Sequence, residues 1–215
     1  MAITYTRGGL KAIIADDLAR ADLSTQIENA IEHAISERQE ERFYFNETRT
    51  ATFATVADQS TYTVTDDTDI PLFYELDGLT LMDSGGQRFD LGSPIDPVEM
   101  HLLLNSSAAT GQPSCYTYFE ESFVFHPIPD AVYTITPIGH IKITAPAADD
   151  TENNKWMTEA FQLLRADAKA YLYAHVIRDT EEAGVMVDAA QGALAKLRSR
   201  TSRKRASGYI RPTMW

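Results

Sequence analysis

Few residues in this chain could act as a nucleophile or as a metal ligand. It contains one cysteine, Cys115, and five histidines that stand singly along the sequence. A thiol needs a nearby base to attack a substrate, and His126 or His140 could supply one. No two histidines have zinc-ligand spacing, and no glycine-rich phosphate loop, HExxH, GxSxG or CxxC motif occurs. We therefore expect no catalytic, cofactor-binding or metal site, and interpret Cys115 as a small apolar residue at the start of a strand.

Two clusters of acidic residues are the other candidates for chemistry. One lies in residues 66–69 and the other in residues 149–152. Carboxylate oxygens suit calcium, but neither cluster has the alternate acids and glycine bend of an EF-hand loop. We interpret both clusters as solvated turns. A hydrolase that uses a pair of carboxylates is a further class, although no spacing of acids in the chain supports it.

Charge is distributed unevenly along the chain. The sequence has 31 acidic and 19 basic residues, which gives a net charge of −12. No acid follows Asp188, and seven bases lie between Lys196 and Arg211, so this part carries +7 and the preceding body carries −19. An acidic body repels nucleic acid at long range. A basic segment attracts phosphate or an acidic protein surface.

The basic C-terminal tail, residues 198–215, is the strongest candidate for a binding segment. It has no apolar periodicity, so we expect it to be extended until a partner binds it. Arg and Trp are common anchors of protein interfaces, whereas bases with aromatic rings also suit nucleic acid. The acidic body opposes nucleic acid, which favours docking on a protein. The residues predicted to dock are Arg198, Arg200, Arg203, Lys204, Arg205, Tyr209, Arg211 and Trp215.

Overall composition indicates a globular protein made in a reducing compartment. Hydrophobic residues make up 44% and charged residues 23% of the chain, which is ordinary globular usage. A single cysteine excludes an internal disulfide. No apolar run approaches the roughly 20 residues that span a bilayer, and no apolar stretch precedes the first acids. We expect neither a transmembrane segment nor a secretory signal.

Hydrophobic periodicity predicts helices at both ends of the chain and strands between them. Ile27, Ile31 and Ile35 form one apolar stripe near the N-terminus. A third helix is predicted from Trp156 onward and a fourth over residues 185–197, after a break at Gly184. The intervening region alternates with a period of two and contains turn residues.

The predicted fold is therefore α+β, because helical stripes far apart in sequence can bury one another. We expect a four-helix bundle built from residues 1–46 and 146–197. An antiparallel β domain over residues 47–145 would be inserted into it. The extended basic tail would follow over residues 198–215.

Five segments together resemble head-to-tail adaptor proteins of tailed double-stranded DNA phages. The first is an LxxxIxxxI…AxxxIxR-like helix, and the second is a Thr-rich strand. A Gly-Gln-Pro phrase, an aromatic segment with a PxPDxxY phrase and an Asn-x-Trp stretch follow. In this chain they are residues 23–38, 48–52, 111–113, 125–135 and 153–156. The resemblance covers almost the whole chain.

The resemblance implies a structural role in the virion neck and no catalysis. Such proteins form a ring, usually of twelve copies, that joins the portal to the phage tail and extends the DNA channel. The implied partners are the portal, a stopper, nozzle or tail-tube protein, and other copies of the chain. Genomic DNA would pass through without specific binding, which agrees with the acidic body. The implied locations are the bacterial cytoplasm during synthesis and then the virion neck, with no membrane.

A second class of function stays open from the residues alone. Tyr116, Tyr118 and Phe119 lie close together in a predicted strand. Exposed rings of this kind could stack on sugars, as in a β-rich carbohydrate- or receptor-binding module of a virion. The same rings could instead fill the core of a sheet.

Overall fold

The computed structural model describes residues 4–106 and 109–205. The chain divides into two compact units. One unit, here called the β unit, is Asn46–Lys142. The other, the helical unit, combines the residues up to Phe45 with those from Ile143 onward. The fold is mixed α+β, as predicted.

The elements follow one another as two helices, a largely β region with one helix, and a second helical region. The α-helices are α1 (Arg7–Asp17), α2 (Ser24–Gln39), α3 (Pro97–Ser106), α4 (Lys155–Glu159), α5 (Phe161–Leu172) and α6 (Thr180–Arg205). A π-helical turn, Tyr173–Ile177, joins α5 to the segment before α6. The strands are β1 (Glu47–Thr48), β2 (Phe53–Ala54), β3 (Thr61–Tyr62), β4 (Phe73–Met82), β5 (Arg88–Asp90), β6 (Thr110–Gly111), β7 (Cys115–Phe119), β8 (Ser122–His126), β9 (Ile128–Pro129) and β10 (Thr134–Ile141). Among the described residues, no helix is both long enough and apolar enough to span a bilayer.

The helical unit is held by apolar stripes on its longer helices. Ile27, Ile31 and Ile35 of α2 are all buried, because residues three and four apart share one side of a helix. This side of α2 faces α5, and α5 in turn packs against α6. Helix α1 contacts both α2 and α5. Burial of these stripes supplies the main apolar stabilisation of the unit.

Trp156 fastens the two chain segments through which the β unit is inserted. Its ring is fully buried, and its centre lies 6.1 Å from that of Phe43 and 5.1 Å from that of Phe45, both edge-to-face. Its indole N–H donates to the carbonyl oxygen of Ile143 at 3.0 Å. The departing and returning segments of the helical unit are therefore fixed to one side chain.

The β unit is built on an antiparallel sheet of order β1-β10-β4-β5, with β2 also paired to β10. A second antiparallel sheet has the order β3-β8-β7, and aromatic rings such as Phe53, Tyr116 and Phe125 fill the core. Contrary to the expectation of a purely antiparallel domain, β6 pairs with β9 in parallel. Gly139 lies beside a register shift in β10. A side chain there would collide with the carbonyl oxygen of Glu75 on β4.

The last helix differs from the prediction at both ends. Gly184 lies inside α6, and the break occurs at Arg178, whose φ is 63°. The Asp179 carboxylate then caps the new helix by accepting the N–H groups of Glu181 and Glu182, at 3.2 and 3.1 Å. The left-handed Arg178 therefore ends the preceding helical turn and Asp179 starts the next helix, whereas Gly184 is an interior position of α6.

The expectation of an extended tail from residue 198 is wrong for residues 198–205, which continue α6. The buried stripe of this helix does not end at Leu197. Thr201 is also buried, and its hydroxyl donates to the Leu197 carbonyl oxygen at 3.0 Å. Burial of one more turn, at Thr201, therefore stabilises α6 beyond Leu197. Residues 206–215, with the predicted Tyr209, Arg211 and Trp215, lie outside the described residues.

The predicted third helix is present but divided. It is interrupted at Ala160 into α4 and α5, and it passes into the π-helical turn after Leu172. Asn154 caps α4, because its side-chain oxygen accepts the N–H of Trp156 at 3.0 Å. This cap and the break set the direction in which Trp156 enters the core.

Candidate functional site

The basic end of α6 contacts an aromatic residue from the N-terminal segment of the helical unit. The Lys204 ammonium lies 3.7 Å from the centre of the Tyr44 ring, which is a cation–π contact. The main-chain N–H of Tyr44 donates to the hydroxyl of Thr201 at 3.4 Å. The last turns of α6 therefore have a defined position on the helical unit.

The hydroxyl of Tyr44 completes this attachment by a hydrogen bond with the carboxylate of Glu159 in α4. Burial of the ring, followed by this hydrogen bond, raises the pKa of Tyr44 to about 12. The phenol therefore stays protonated and donates to Glu159 at neutral pH. Tyr44 thus links α4 and the end of α6.

Arg198 already has a partner within the chain. Its Nη2 lies 3.0 Å from a carboxylate oxygen of Glu41, and its Nε contacts the other oxygen. Its side chain is 61% exposed. This bidentate pair raises the pKa of Arg198 and ties α6 to the segment that follows α2. An exposed pair of this kind can still exchange partners when a competing carboxylate arrives.

Arg198 and Arg205 border one shallow depression on the surface. Arg42, Thr201 and Ser202 complete its lining, and its volume is about 530 Å³. Guanidinium groups recognise carboxylates and phosphates through parallel hydrogen bonds. The depression therefore suits an anionic group of a partner.

The remaining predicted bases of α6 do not join this depression. Arg200 and the neighbouring Lys196 line a separate groove of about 900 Å³ between α5 and α6, whose wall includes Ala166 and Leu197. Arg203 runs along the helix, with its Nε 3.4 Å from the carbonyl oxygen of Ser199. The described bases are thus spread around α6 and do not form one patch.

Sequence reasoning missed Arg42 and Tyr44 as parts of this surface. They come from a segment about 160 positions away in the chain and meet α6 only through the fold. The one available signal is the aromatic run 43–45 that directly follows Arg42. Thr201 was also missed, although it stands four residues after Leu197 and so continues the buried stripe.

Cys115 is not arranged as a nucleophile. It faces His126 across the β7–β8 hairpin, but its thiol donates to the main-chain oxygen of that residue at 3.4 Å. Burial raises the pKa of the thiol. A reactive cysteine requires the opposite shift, towards the thiolate.

The acidic clusters have partners within the protein. The carboxylates of Asp66 and Asp67 accept main-chain N–H groups at 2.8 and 2.9 Å and so close local turns. Asp149 accepts Arg7 Nε at 2.8 Å and Lys11 Nζ at 3.0 Å, and the bond from Lys11 contributes most to lowering its pKa. Within residues 4–106 and 109–205, no three potential ligands are grouped closely enough to hold a metal ion.

The three aromatic residues considered for sugar binding do not form an exposed platform. Tyr116 is fully buried, and the Tyr118 ring packs 4.7 Å from that of Phe123. Phe119 alone among the three is exposed, at 54%. Two of the three rings therefore fill the sheet core, and a sugar could stack on one at most.

The described surface thus presents bases at the end of α6, in a chain whose net charge is −12. The family model described as SU10 adaptor protein matches residues 5–213. The chain therefore belongs to the SU10 adaptor family and is a phage head-to-tail adaptor protein, which confirms the predicted resemblance. No curated protein matches it. Membership of an adaptor family favours a structural role over catalysis, a location in the virion and contacts with other virion proteins.

Proposed function

We propose that this adaptor forms a ring, of twelve subunits, at the virion neck. The ring joins the portal to the phage tail and extends the channel through which DNA passes. Family membership carries the proposal, and the charge of the chain supports it. A body with a large excess of acids offers few phosphate contacts, so DNA can pass without being retained.

The described helices carry the buried apolar stripes on which a helical bundle depends. In the proposal, α1, α2, α5 and α6 act as one four-helix bundle, and residues outside its core make the lateral contacts between subunits. The contacts of α5 with both α2 and α6 support a bundle of this kind. The β unit, as one separately compact body, would face the tail-side partner.

The basic end of α6 and the residues that follow it would dock on the portal. This role is proposed for all eight bases and aromatic residues predicted from the sequence. Support comes from the position of Arg198 and Arg205 at one depression, since guanidinium groups suit carboxylates of an acidic protein surface. The attachment of Tyr44 to Lys204 would keep this end of the helix in place before docking.

Negative-stain imaging with purified portal tests the docking, using a chain that ends at Arg205. This truncation keeps α6 whole, whereas one after Leu197 would also remove the buried Thr201. We expect the protein ending at Arg205 to keep its melting temperature and lose most of its attachment to portals. Arg200→Glu should weaken attachment in the same way.

A double variant, Lys155→Glu with Arg178→Glu, is the matched control. Both are bases of the helical unit outside the end of α6. It should attach like the wild type, because docking depends on where the positive charge lies. Full portal occupancy by the truncated chain and by Arg200→Glu would move the docking site elsewhere on the subunit. Absence of rings in every sample that contains the wild type would contradict the ring itself.

A further inference from the structure

Helix α6 presents an exposed face with acids before Gly192 and bases at the same distances after it. On each side of Gly192 the residues of this face follow at spacings of four, three and four. A spacing of eleven residues is about three turns of an α-helix, so the residues at these spacings lie on the same side of α6 as Gly192. The face consists of the exposed residues Glu181, Val185, Asp188, Gly192, Lys196, Ser199 and Arg203.

Most of this face points away from the helical unit, and its flank at Gly192 and Lys196 borders the groove between α5 and α6. The buried residues of α6 include Ala190, Leu194 and Thr201. At about 100° per residue they lie on the opposite side of the helix from the face around Gly192. Val185, in the acidic half, is 52% exposed. Within the described residues, nothing covers the face.

The two central charges of this face, Asp188 and Lys196, do not stabilise α6 by itself. A helix dipole acts on charges in the first and last turns, which suits Glu181 and Arg203. Asp188 and Lys196 lie further inside this 26-residue helix. No oppositely charged residue stands three or four positions from either one. Neither makes an ion pair in the part of the chain that the structure describes.

A second copy of α6, laid antiparallel with Gly192 over Gly192, would satisfy all four charges. Asp188 then lies opposite Lys196 of the second copy, and Glu181 lies opposite Arg203. Each pairing occurs twice because the contact is symmetric. One helix cannot bring its own two halves together, so the complement must come from another chain. A parallel alignment in the same register would instead place like charges together.

Gly192 permits the two helices to approach closely at the crossing point. No atom lies within 4 Å of the position where a side chain would begin. A larger residue at the centre of a symmetric crossing would meet its own copy and separate the helices. The glycine therefore lies at the one position of the face where backbone must meet backbone.

We propose that two free subunits pair through this face of α6 around a two-fold axis at Gly192. Such a contact is isologous and closes at two subunits, whereas a ring requires a heterologous contact. The pair is therefore a state of the subunit before ring assembly. If the proposed docking on the portal is right, pairing also competes with it, because Arg203 serves both contacts.

Sedimentation of the full-length protein at low ionic strength tests the pairing. We expect a reversible dimer that dissociates as salt is added. Asp188→Lys and Lys196→Glu should each weaken dimerisation by about tenfold or more, because each reversal changes two symmetric ion pairs. A mixture of these two variants should dimerise again, because the two central charges of the face are both basic in one variant and both acidic in the other. Gln191→Glu, which changes an exposed residue beside the face without giving Asp188 or Lys196 an oppositely charged neighbour, is the control and should dimerise like the wild type.

Crosslinking tests the position of the axis independently. In a Cys115→Ser background, Gly192→Cys should form a disulfide-linked dimer under mild oxidation, because the two α-carbons approach within reach of a disulfide. Gln191→Cys, one residue away and about 100° around the helix, should not. A monomer at every concentration, no recovery in the mixture, or equal crosslinking at both positions would overturn the proposal. None of these results depends on whether rings form on portals.

Discussion

Replacing Arg7 by methionine should destabilise the helical unit. Arg7 is only 9% exposed, and its guanidinium lies 2.8 Å from Asp149, 3.0 Å from Glu28 and 3.4 Å from Glu32. These ion pairs join α1 to α2 and to the segment before α4. A cation held this far from water has to be compensated by carboxylates, so its loss affects all three of these partners.

The structure also limits the size of the effect. Removing one member of a fully buried ion pair costs roughly 3–5 kcal/mol. Here the side chains of Glu28 and Asp149 are 32% and 48% exposed, so water can replace part of the lost interaction. Lys11 still contacts both carboxylates at 3.0 Å. We therefore expect Arg7→Met to lower the free energy of unfolding by about 1–2 kcal/mol, which corresponds to ~2–8 °C in Tm.

Urea unfolding followed by circular dichroism measures this difference, and Arg20→Met is the matched control. Arg20 and Asp22 also form a bidentate pair, but their side chains are 47% and 62% exposed. Loss of such a pair should leave the unfolding midpoint unchanged. Equal midpoints for the two variants, or a more stable Arg7→Met protein, would refute the reasoning from burial.

The same ion pairs predict how the difference depends on pH. Lys11 and then Arg7 hold the pKa of Asp149 below its ordinary value. A lowered pKa in the folded state stabilises the protein above the unfolded value of about 3.9, and this contribution is lost as pH falls through the lowered value. The gap between wild type and Arg7→Met should stay constant from about pH 7 to pH 5 and shrink below about pH 4.

Two further predictions concern the core and the attachment of α6. Ile31→Asp or Leu164→Asp should each prevent recovery of soluble folded protein in gel filtration and circular dichroism, because both residues are fully buried in apolar surroundings. The wild type should lose stability between about pH 10 and pH 12, because the pKa of Tyr44 is raised to about 12 in the folded state. Tyr44→Phe should lack this part of the alkaline loss when urea midpoints are compared at about pH 9 and pH 11.

The helices of this protein could be predicted because their signal is local. Ile27, Ile31 and Ile35 recur at helical spacing, and the core simply buries the side that the spacing defines. The β region was also visible as a change of period. The parallel pairing of β6 with β9 was not visible, because two-residue strands carry no periodicity.

The end of α6 could not be predicted because contacts distant in sequence decide it. A threonine in the buried position 201 interrupts the apolar stripe, so the pattern ends at Leu197 although the helix does not. Its hydroxyl accepts the main-chain N–H of Tyr44, which lies 157 positions earlier. The same distance in sequence hid the part of the surface contributed by Arg42. Charge density located the basic segment, but only the fold could show which bases already have partners.

The contacts of these bases separate their roles. Arg198 pairs with Glu41 and Lys204 contacts the Tyr44 ring, so both residues attach α6 to the rest of the helical unit. Each of these contacts is weakened when the base binds a partner instead. Arg200 and Arg203 make no ion pair within the described residues and can meet a carboxylate without breaking one. A charge reversal at Arg198 should therefore lower both stability and binding, whereas one at Arg200 should lower binding alone. Arg198 and Lys204 therefore attach α6 to the subunit, whereas Arg200 and Arg203 are available to bind a partner, although all four bases belong to one helix.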